Sequence, residues 1–233
     1  MKKFGLALFY ATICSSANSP TLPHEALSYS VNWPSGLSLG ESQLSASASK
    51  PAGDKPENLN LNFSIDASIP GFQVLDKYHS QSSSGYCSLE FDKNLVHGRK
   101  KVEEKTTFDS DKQTATRETK GGGKTELNTG SCGKDALTYL YFLRRELSQG
   151  RLPPTTTVYF GAPYQVRVEF AGTQTIKIGD NSVKADRLTA SLKGPASDIS
   201  FEVFFLKDAA RTPALVKVPL TLGTFSMELI REP

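Results

Sequence analysis

The sequence predicts a mostly β fold: a strongly curved antiparallel sheet, either a half-barrel or a near-closed barrel, with one main α-helix packed on it or in it. Three observations carry this prediction. Apolar and polar residues alternate along many segments, turn motifs separate these segments, and a helical pattern is clear only once. Alternation with a period of two gives a strand one buried and one wet face, which is typical of antiparallel sheets. A sheet this long must curl or be covered, and one helix cannot cover it.

The alternating segments occur in both halves of the chain and define a set of positions predicted to face the core. These are Leu27, Tyr29, Val31 and Trp33; Leu59, Leu61, Phe63 and Ile65; Tyr164, Val166, Val168 and Phe170; Phe201, Val203 and Phe205; Val216, Val218, Leu220 and Leu222; and Phe225, Met227 and Leu229. Turns are predicted at 34–36, 179–181 and 208–210, where Gly, Pro, Asn or Asp occur. The polar segment 45–58 is predicted to be an exposed loop, and the glycine-rich segment 119–134 is predicted to contain a hairpin or loop at GGGKT (121–125).

The helical pattern is KDALTYLYFLRRELSQG. Asp135 is the predicted N-cap, and Gly150 ends the helix ahead of two prolines. An apolar face is formed by Ala136, Leu140, Leu143 and Leu147, which recur at helical spacing. We expect this face to pack against the concave side of the sheet.

The bulk composition suits one globular domain, predicted for residues 18–233. The chain has 233 residues, of which 38% are hydrophobic, and a net charge of +3. That length is sufficient to bury a core. Lys and Arg are spread along the chain and mixed with acidic residues, whereas nucleic-acid binders gather their basic charge on one face. We therefore expect no nucleic-acid partner.

The first 17 residues are predicted to be a signal peptide. Lys2 and Lys3 precede an apolar run over 4–13, and small residues lead to a cleavage position after Ala17. Ile13 stands before Cys14 where a lipobox has a small residue, which favours a chain without a lipid anchor. The protein is thus expected in the periplasm or otherwise exported, with no integral membrane span in the mature chain.

Cleavage would leave two cysteines, Cys87 and Cys132. Export to an oxidising compartment predicts a disulfide between them, and two separate free thiols are the alternative. Two cysteines alone cannot complete a four-ligand zinc site, and His24, His79 and His97 show no ligand spacing. No metal site and no cofactor is predicted.

One short motif suggests nucleophilic catalysis. The stretch GLSLG has the Gly-x-Ser-x-Gly form around Ser38, but that chemistry needs a strand, a tight elbow and then a helix. Here the motif follows the predicted turn at 34–36 and precedes an alternating segment. Ser38 is therefore interpreted as a strand residue, and a hydrolase using Ser38 stays the weakest alternative.

ALSYSVNWPSGLSLGESQL near the start and DALTYLYFLRREL in the middle resemble the bacterial domain of unknown function 3108 family. The resemblance implies a first hairpin, a central helix and a closing strand-turn-strand with Asp208, Arg211, Pro213 and Gly223. It implies no catalytic residue. The last segment is more loosely similar to LolA/LolB-type periplasmic lipoprotein carriers, which are curved half-barrels with a helical lid over an apolar cavity.

The predicted shape leads to a functional hypothesis. A curved sheet with one helix can leave an apolar cavity, so we expect an exported envelope protein without enzymatic activity that binds an apolar ligand, such as a lipid or acyl chain. The expected ligand-binding residues are Leu140, Leu143, Leu147, Val166, Val168, Phe201 and Phe205. The alternative is a filled barrel that serves as a structural factor or binds another envelope protein.

Overall fold

The computed structural model describes residues 23–49, 57–69, 71–195 and 198–230, so the predicted signal peptide, residues 1–17, lies outside the described part. Within these ranges, fifteen strands form one sheet, and one helix follows the ninth strand. The fold is mostly β with a strongly curved sheet and one main helix, which confirms the predicted class.

The first nine strands are β1 (Glu25–Asn32), β2 (Ser38–Ala48), β3 (Asn58–Ile69), β4 (Phe72–Ser83), β5 (Ser88–His97), β6 (Lys100–Asp109), β7 (Thr114–Thr119), β8 (Lys124–Asn128) and β9 (Lys134–Asp135). The helix α1 (Ala136–Ser148) comes next. The remaining strands are β10 (Thr156–Tyr159), β11 (Pro163–Ile178), β12 (Asn181–Lys193), β13 (Asp198–Leu206), β14 (Pro213–Leu220) and β15 (Gly223–Ile230).

The strands form two meanders that join where β1 pairs with β15. The spatial order is β8-β7-β6-β5-β4-β3-β2-β1-β15-β14-β13-β12-β11-β10-β9, and every pair is antiparallel except β9 with β10. Alternate connections of a meander lie at the same end of a sheet. The connections β1–β2, β3–β4, β5–β6 and β14–β15 therefore share one end, and β4–β5, β6–β7, β11–β12 and β13–β14 share the other.

The helix lies at the second of these ends. Arg144 Nε donates to the Ala210 carbonyl in the β13–β14 connection at 3.0 Å. The Arg145 guanidinium lies 4.9 Å from the ring of Tyr86 in the β4–β5 connection. We call this the helix end and the opposite one the open end.

The two edges of the sheet overlap instead of pairing into a closed barrel. The Ser88 amide, at the start of β5, donates to the Gly133 carbonyl beside β9 at 2.9 Å. Farther along, the Tyr159 hydroxyl donates to the Asn128 carbonyl at 2.6 Å, and Arg117 donates to the Gly161 carbonyl. Within the described strands, β8 and β9 are thus edges held together by a few contacts rather than by a strand ladder.

Several predictions of local structure are confirmed. Asp135 caps α1, and the strand containing Ser38 begins where the turn at 34–36 ends. Asp208 accepts hydrogen bonds from the Thr212 amide and hydroxyl, which makes the predicted tight turn before β14. Within the described residues, no helix has the length and apolar character needed to cross a bilayer.

Other predictions were wrong. The polar segment 45–58, predicted to be a loop, begins inside β2, which continues to Ala48. Phe170 is exposed because the β11–β12 register shifts between Phe170 and Thr173. Leu220 and Leu222 are exposed because β14 ends at Leu220 and the connection leaves the core.

Candidate ligand-binding cavity

The N-terminus of α1 is fixed by a buried carboxylate. Asp135 is fully buried, and its Oδ1 accepts from the amides of Leu137 and Thr138. Its Oδ2 accepts from the hydroxyls of Ser80 on β4, Ser88 on β5 and Thr138. Burial raises the pKa of Asp135, and these hydrogen bonds partly oppose that rise. The cap is therefore also the joint between the helix and two strands.

The second half of α1 is fixed by an ion pair. Arg144 is buried and forms a bidentate pair with Glu25, the first residue of β1. The Tyr141 hydroxyl donates to the same carboxylate at 2.8 Å. Because a planar guanidinium matches a carboxylate with two parallel bonds, this contact fixes the rotation of the helix as well as its position.

Around this half of the helix, the barrel is filled. Leu59, Ile178 and Leu206 belong to one buried cluster with Tyr141 of α1 and Tyr29 of β1. The Tyr29 hydroxyl donates to the Pro213 carbonyl at 2.9 Å. These side chains leave the remaining volume of the barrel on the side of the helix that faces the open end.

That volume is an apolar cavity of about 330 Å³. Its walls come from α1 and from strands of both meanders. The lining residues are Leu44, Phe63, Tyr78, Phe91, Ala136, Leu137, Tyr139, Leu140, Leu143, Val158, Phe160, Val166, Val168, Ala190, Leu192, Phe201, Val203, Phe205, Pro213, Val216 and Met227. Phe160 lies in the β10–β11 connection, and Leu192 lies next to the β12–β13 connection. By the same alternation both connections are at the open end, so the cavity extends toward that end.

The structure brings six of the seven expected ligand-binding residues to this cavity: Leu140, Leu143, Val166, Val168, Phe201 and Phe205. Leu147 is the exception: it is half-buried and packs against the buried cluster that supplies part of the cavity wall, without lining the cavity itself. Their role in binding a ligand stays a prediction.

Sequence reasoning missed the polar member of the wall. Tyr139 lines the cavity and is only 6% exposed, and its hydroxyl has no hydrogen-bond partner among the described residues. Burial raises the pKa of this hydroxyl to about 12, so it is protonated at neutral pH and can donate. The sequence places Tyr139 three residues before Phe142 in the helix, and this spacing does not show whether the hydroxyl has a hydrogen-bond partner.

The other tyrosine of the wall is paired. The Tyr78 hydroxyl donates to Asp76 Oδ2 at 3.1 Å, and Asp76 Oδ1 lies 2.8 Å from His97 Nε2. The Tyr78 ring stacks between those of Phe63 and Phe91. This tyrosine therefore contributes an apolar ring to the cavity while its polar atom is satisfied.

The two cysteines are bonded. Cys87 and Cys132 form a disulfide with Cα atoms 4.8 Å apart, as predicted. Each cysteine directly precedes one partner of the Ser88–Gly133 hydrogen bond, so the bond fastens the overlap of the sheet edges at the helix end.

Among the described residues, neither a histidine nor a carboxylate forms a hydrogen bond with the Ser38 hydroxyl. In the described part of the chain, the Ser38 hydroxyl lies within hydrogen-bond distance of Ser30 Oγ, at 3.3 Å. His79 contacts Asn62 instead, and His97 contacts Asp76. Within that same part, no three His, Cys, Asp or Glu side chains form a group that could hold a metal ion.

Comparisons with known proteins agree with the fold. The crystal structure of a β-barrel-like protein of domain of unknown function DUF1849 from Brucella abortus is similar to this chain, with a TM-score of 0.59 at 9% sequence identity. The match covers 90% of this chain and 96% of that one, and at this identity it shows the fold alone.

A search of curated protein sequences returned no match. The DUF1849 structure does not support the looser likeness to LolA/LolB-type carriers, which stays a prediction. The model of the protein of unknown function (DUF3108) family matches residues 28–230, from the first strand to the end of the last. With its first hairpin, central helix and closing strand-turn-strand inside that match, the chain belongs to the DUF3108 family.

Proposed function

We propose that this protein is an exported envelope protein without enzymatic activity that binds an apolar ligand, such as a lipid or an acyl chain, in the cavity. The observation that carries the proposal is the cavity itself, about 330 Å³ in volume, with almost entirely apolar walls. Pockets for small molecules have volumes of about 300–1,000 Å³ and combine apolar walls with a few polar groups.

An apolar ligand is favoured on energetic grounds. Lining atoms beside empty space lose their dispersion contacts, and a cavity between apolar side chains lowers the stability of the fold. An acyl chain restores those contacts and removes its own apolar surface from water, at about 25 cal/mol per Å². A charged or strongly polar ligand would lose hydration without finding partners.

Export is supported by the sequence and by the disulfide. The basic start and apolar run of residues 1–17 are typical of a signal peptide, and disulfides persist mainly in oxidising compartments. Native mass spectrometry of protein purified from its own periplasm tests both parts. We expect the mass of a chain that begins at Asn18, together with a bound lipid that dissociates on activation.

A pair of leucines on α1 gives a sharper test of the cavity. Leu140 and Leu147 are both half-buried on the helix, but only Leu140 lines the cavity. Leu140→Trp places a larger side chain in the ligand's volume and should weaken the binding of an apolar fluorescent probe at least tenfold. Leu147→Trp is the matched control and should leave probe affinity within about twofold of the wild type.

Fluorescence titration of the purified proteins measures both affinities, and melting temperatures confirm that the variants are folded. Wild-type protein that shows no saturable probe uptake would contradict the proposal and leave the filled-barrel alternative. Equal losses in both variants would also contradict it, since the loss would then not come from the cavity.

A further inference from the structure

Exposed apolar side chains gather at the open end of the barrel. Leu37, Leu220, Leu222 and Phe72 lie in or directly beside the β1–β2, β14–β15 and β3–β4 connections, and they are 68%, 52%, 69% and 45% exposed. Exposed apolar patches on a soluble domain mark contact surfaces more often than chance. In the described part of the chain, the other large apolar residues with this exposure are Leu152 after α1, Phe170 on β11 and Ile230 at the end of β15, none of them in an open-end connection.

The open-end connections are packed together as a firm rim. The Trp33 and Phe225 rings meet edge to face with centroids 4.9 Å apart. Gly223 has φ +122°, and a Cβ there would lie 2.7 Å from Pro34 Cγ, so the β14–β15 connection rests directly on β1–β2. Because of this packing, Leu37 and Leu222 stay exposed on neighbouring hairpins and cannot be buried in the core.

Basic side chains occupy the next connection along the rim. Arg99, Lys100 and Lys101 are consecutive and exposed at β5–β6. The nearby carboxylates of Glu103 and Glu118 are paired with Lys120 and Lys124 respectively, so they do not neutralise this group. The connections at the helix end differ in charge, since Asp111, Asp180 and Asp208 lie there; the exposed Leu152 and Ile230 are also at that end, on separate segments.

We propose that the open end docks on an anionic phospholipid surface. The leucines of the rim enter the interfacial region, and Arg99, Lys100 and Lys101 contact lipid headgroups. Juxtaposed apolar and basic groups are the combination that holds proteins at anionic membranes. The apolar groups project from separate hairpin tips and not from one flat area, a shape that suits a deformable lipid surface better than the rigid face of a folded protein.

Docking in this orientation gives the cavity its access to lipid. The helix closes the far end through Asp135 and Arg144, and the cavity extends toward the open end. The rim would then sit at the lipid surface with the cavity directly above it. An acyl chain could pass between bilayer and cavity with little exposure to water. This orientation deepens the proposed function, although docking itself does not require an occupied cavity.

Vesicle co-sedimentation tests the proposal. Wild-type protein should sediment with vesicles of phosphatidylcholine and phosphatidylglycerol and at least threefold less with phosphatidylcholine alone. The double variant Leu37→Asp/Leu222→Asp should lose at least fivefold of its bound fraction. The matched control Leu152→Asp/Phe170→Asp changes two residues of comparable exposure away from the rim and should bind as the wild type does.

Three results would overturn docking: wild-type protein that stays in the supernatant with both vesicle types, equal binding to both, or an equal loss in the control variant. The first result would make a protein partner the better occupant of the rim. Probe binding in free solution separates this proposal from the cavity proposal, because the rim variant should keep the probe affinity of the wild type.

Discussion

Two tyrosines on the cavity wall differ in one hydrogen bond. The Tyr78 hydroxyl has Asp76 as its acceptor, whereas the Tyr139 hydroxyl is buried without an acceptor among the described residues. An unsatisfied buried hydroxyl costs about 1–3 kcal/mol. The Tyr139 hydroxyl therefore lowers the stability of the fold relative to a phenylalanine at the same position.

Removing each hydroxyl should change stability in opposite directions. Tyr139→Phe is expected to raise the free energy of unfolding of ligand-free protein by about 1 kcal/mol, and Tyr78→Phe to lower it by about 1 kcal/mol. Urea denaturation measures both values. A lower stability in Tyr139→Phe would mean that its hydroxyl already has a partner.

At the scale of elements, α1 shows where periodicity is informative and where it is not. The caps and the face formed by Leu140 and Leu143 could be predicted from the sequence, because local spacing determines them. The burial of Arg144 and Glu146 could not be predicted from the sequence. It depends on the helix crossing the end of the barrel, where Arg144 pairs with Glu25 and Glu146 pairs with Arg151. Strand ends and bulges, as at Leu220 and Phe170, likewise depend on partners distant in sequence.

The anchor of α1 should be a large contributor to stability. Asp135→Ala removes the N-cap and leaves the buried hydroxyls of Ser80 and Ser88 without their acceptor. We expect the free energy of unfolding to fall by about 3–5 kcal/mol, which urea denaturation would measure. Asp109→Ala is the control: its carboxylate also accepts backbone amides, from Asp111 and Lys112, but it is exposed, so the loss should stay below about 1 kcal/mol. Similar losses in both variants would contradict the anchor.

At the scale of the whole molecule, the sequence predicted a curved sheet because alternation was frequent and helices were scarce. It also predicted six residues that line the cavity, since Val166 and Val168 on β11 and Phe201 and Phe205 on β13 point inward on the two strands that flank β12. The overlap of the edges and the polar Tyr139 could not be predicted, because both arise from how far the sheet curls.

The disulfide should stabilise the whole fold. It joins residues 45 apart, and the chain-entropy model gives about 3–4 kcal/mol for a loop of that size. Cys87→Ser/Cys132→Ser should lower the free energy of unfolding by about this amount, and a reducing agent should have a similar effect on the wild type and none on the variant. A urea midpoint that does not move on reduction would show that the cross-link adds nothing.

The overlapping edges have a consequence for the girth of the barrel. At the helix end, the Cys87–Cys132 bond and the Ser88–Gly133 hydrogen bond clamp one edge over the other. Toward the open end, the contact between the edges in the described part of the chain is that of a single side chain, Arg117 with the Gly161 carbonyl. Widening the barrel there breaks a few hydrogen bonds and no strand ladder. The disulfide then keeps the diameter of the barrel constant at the helix end. At the open end the two edges can separate, so the barrel can widen there around a bulky ligand.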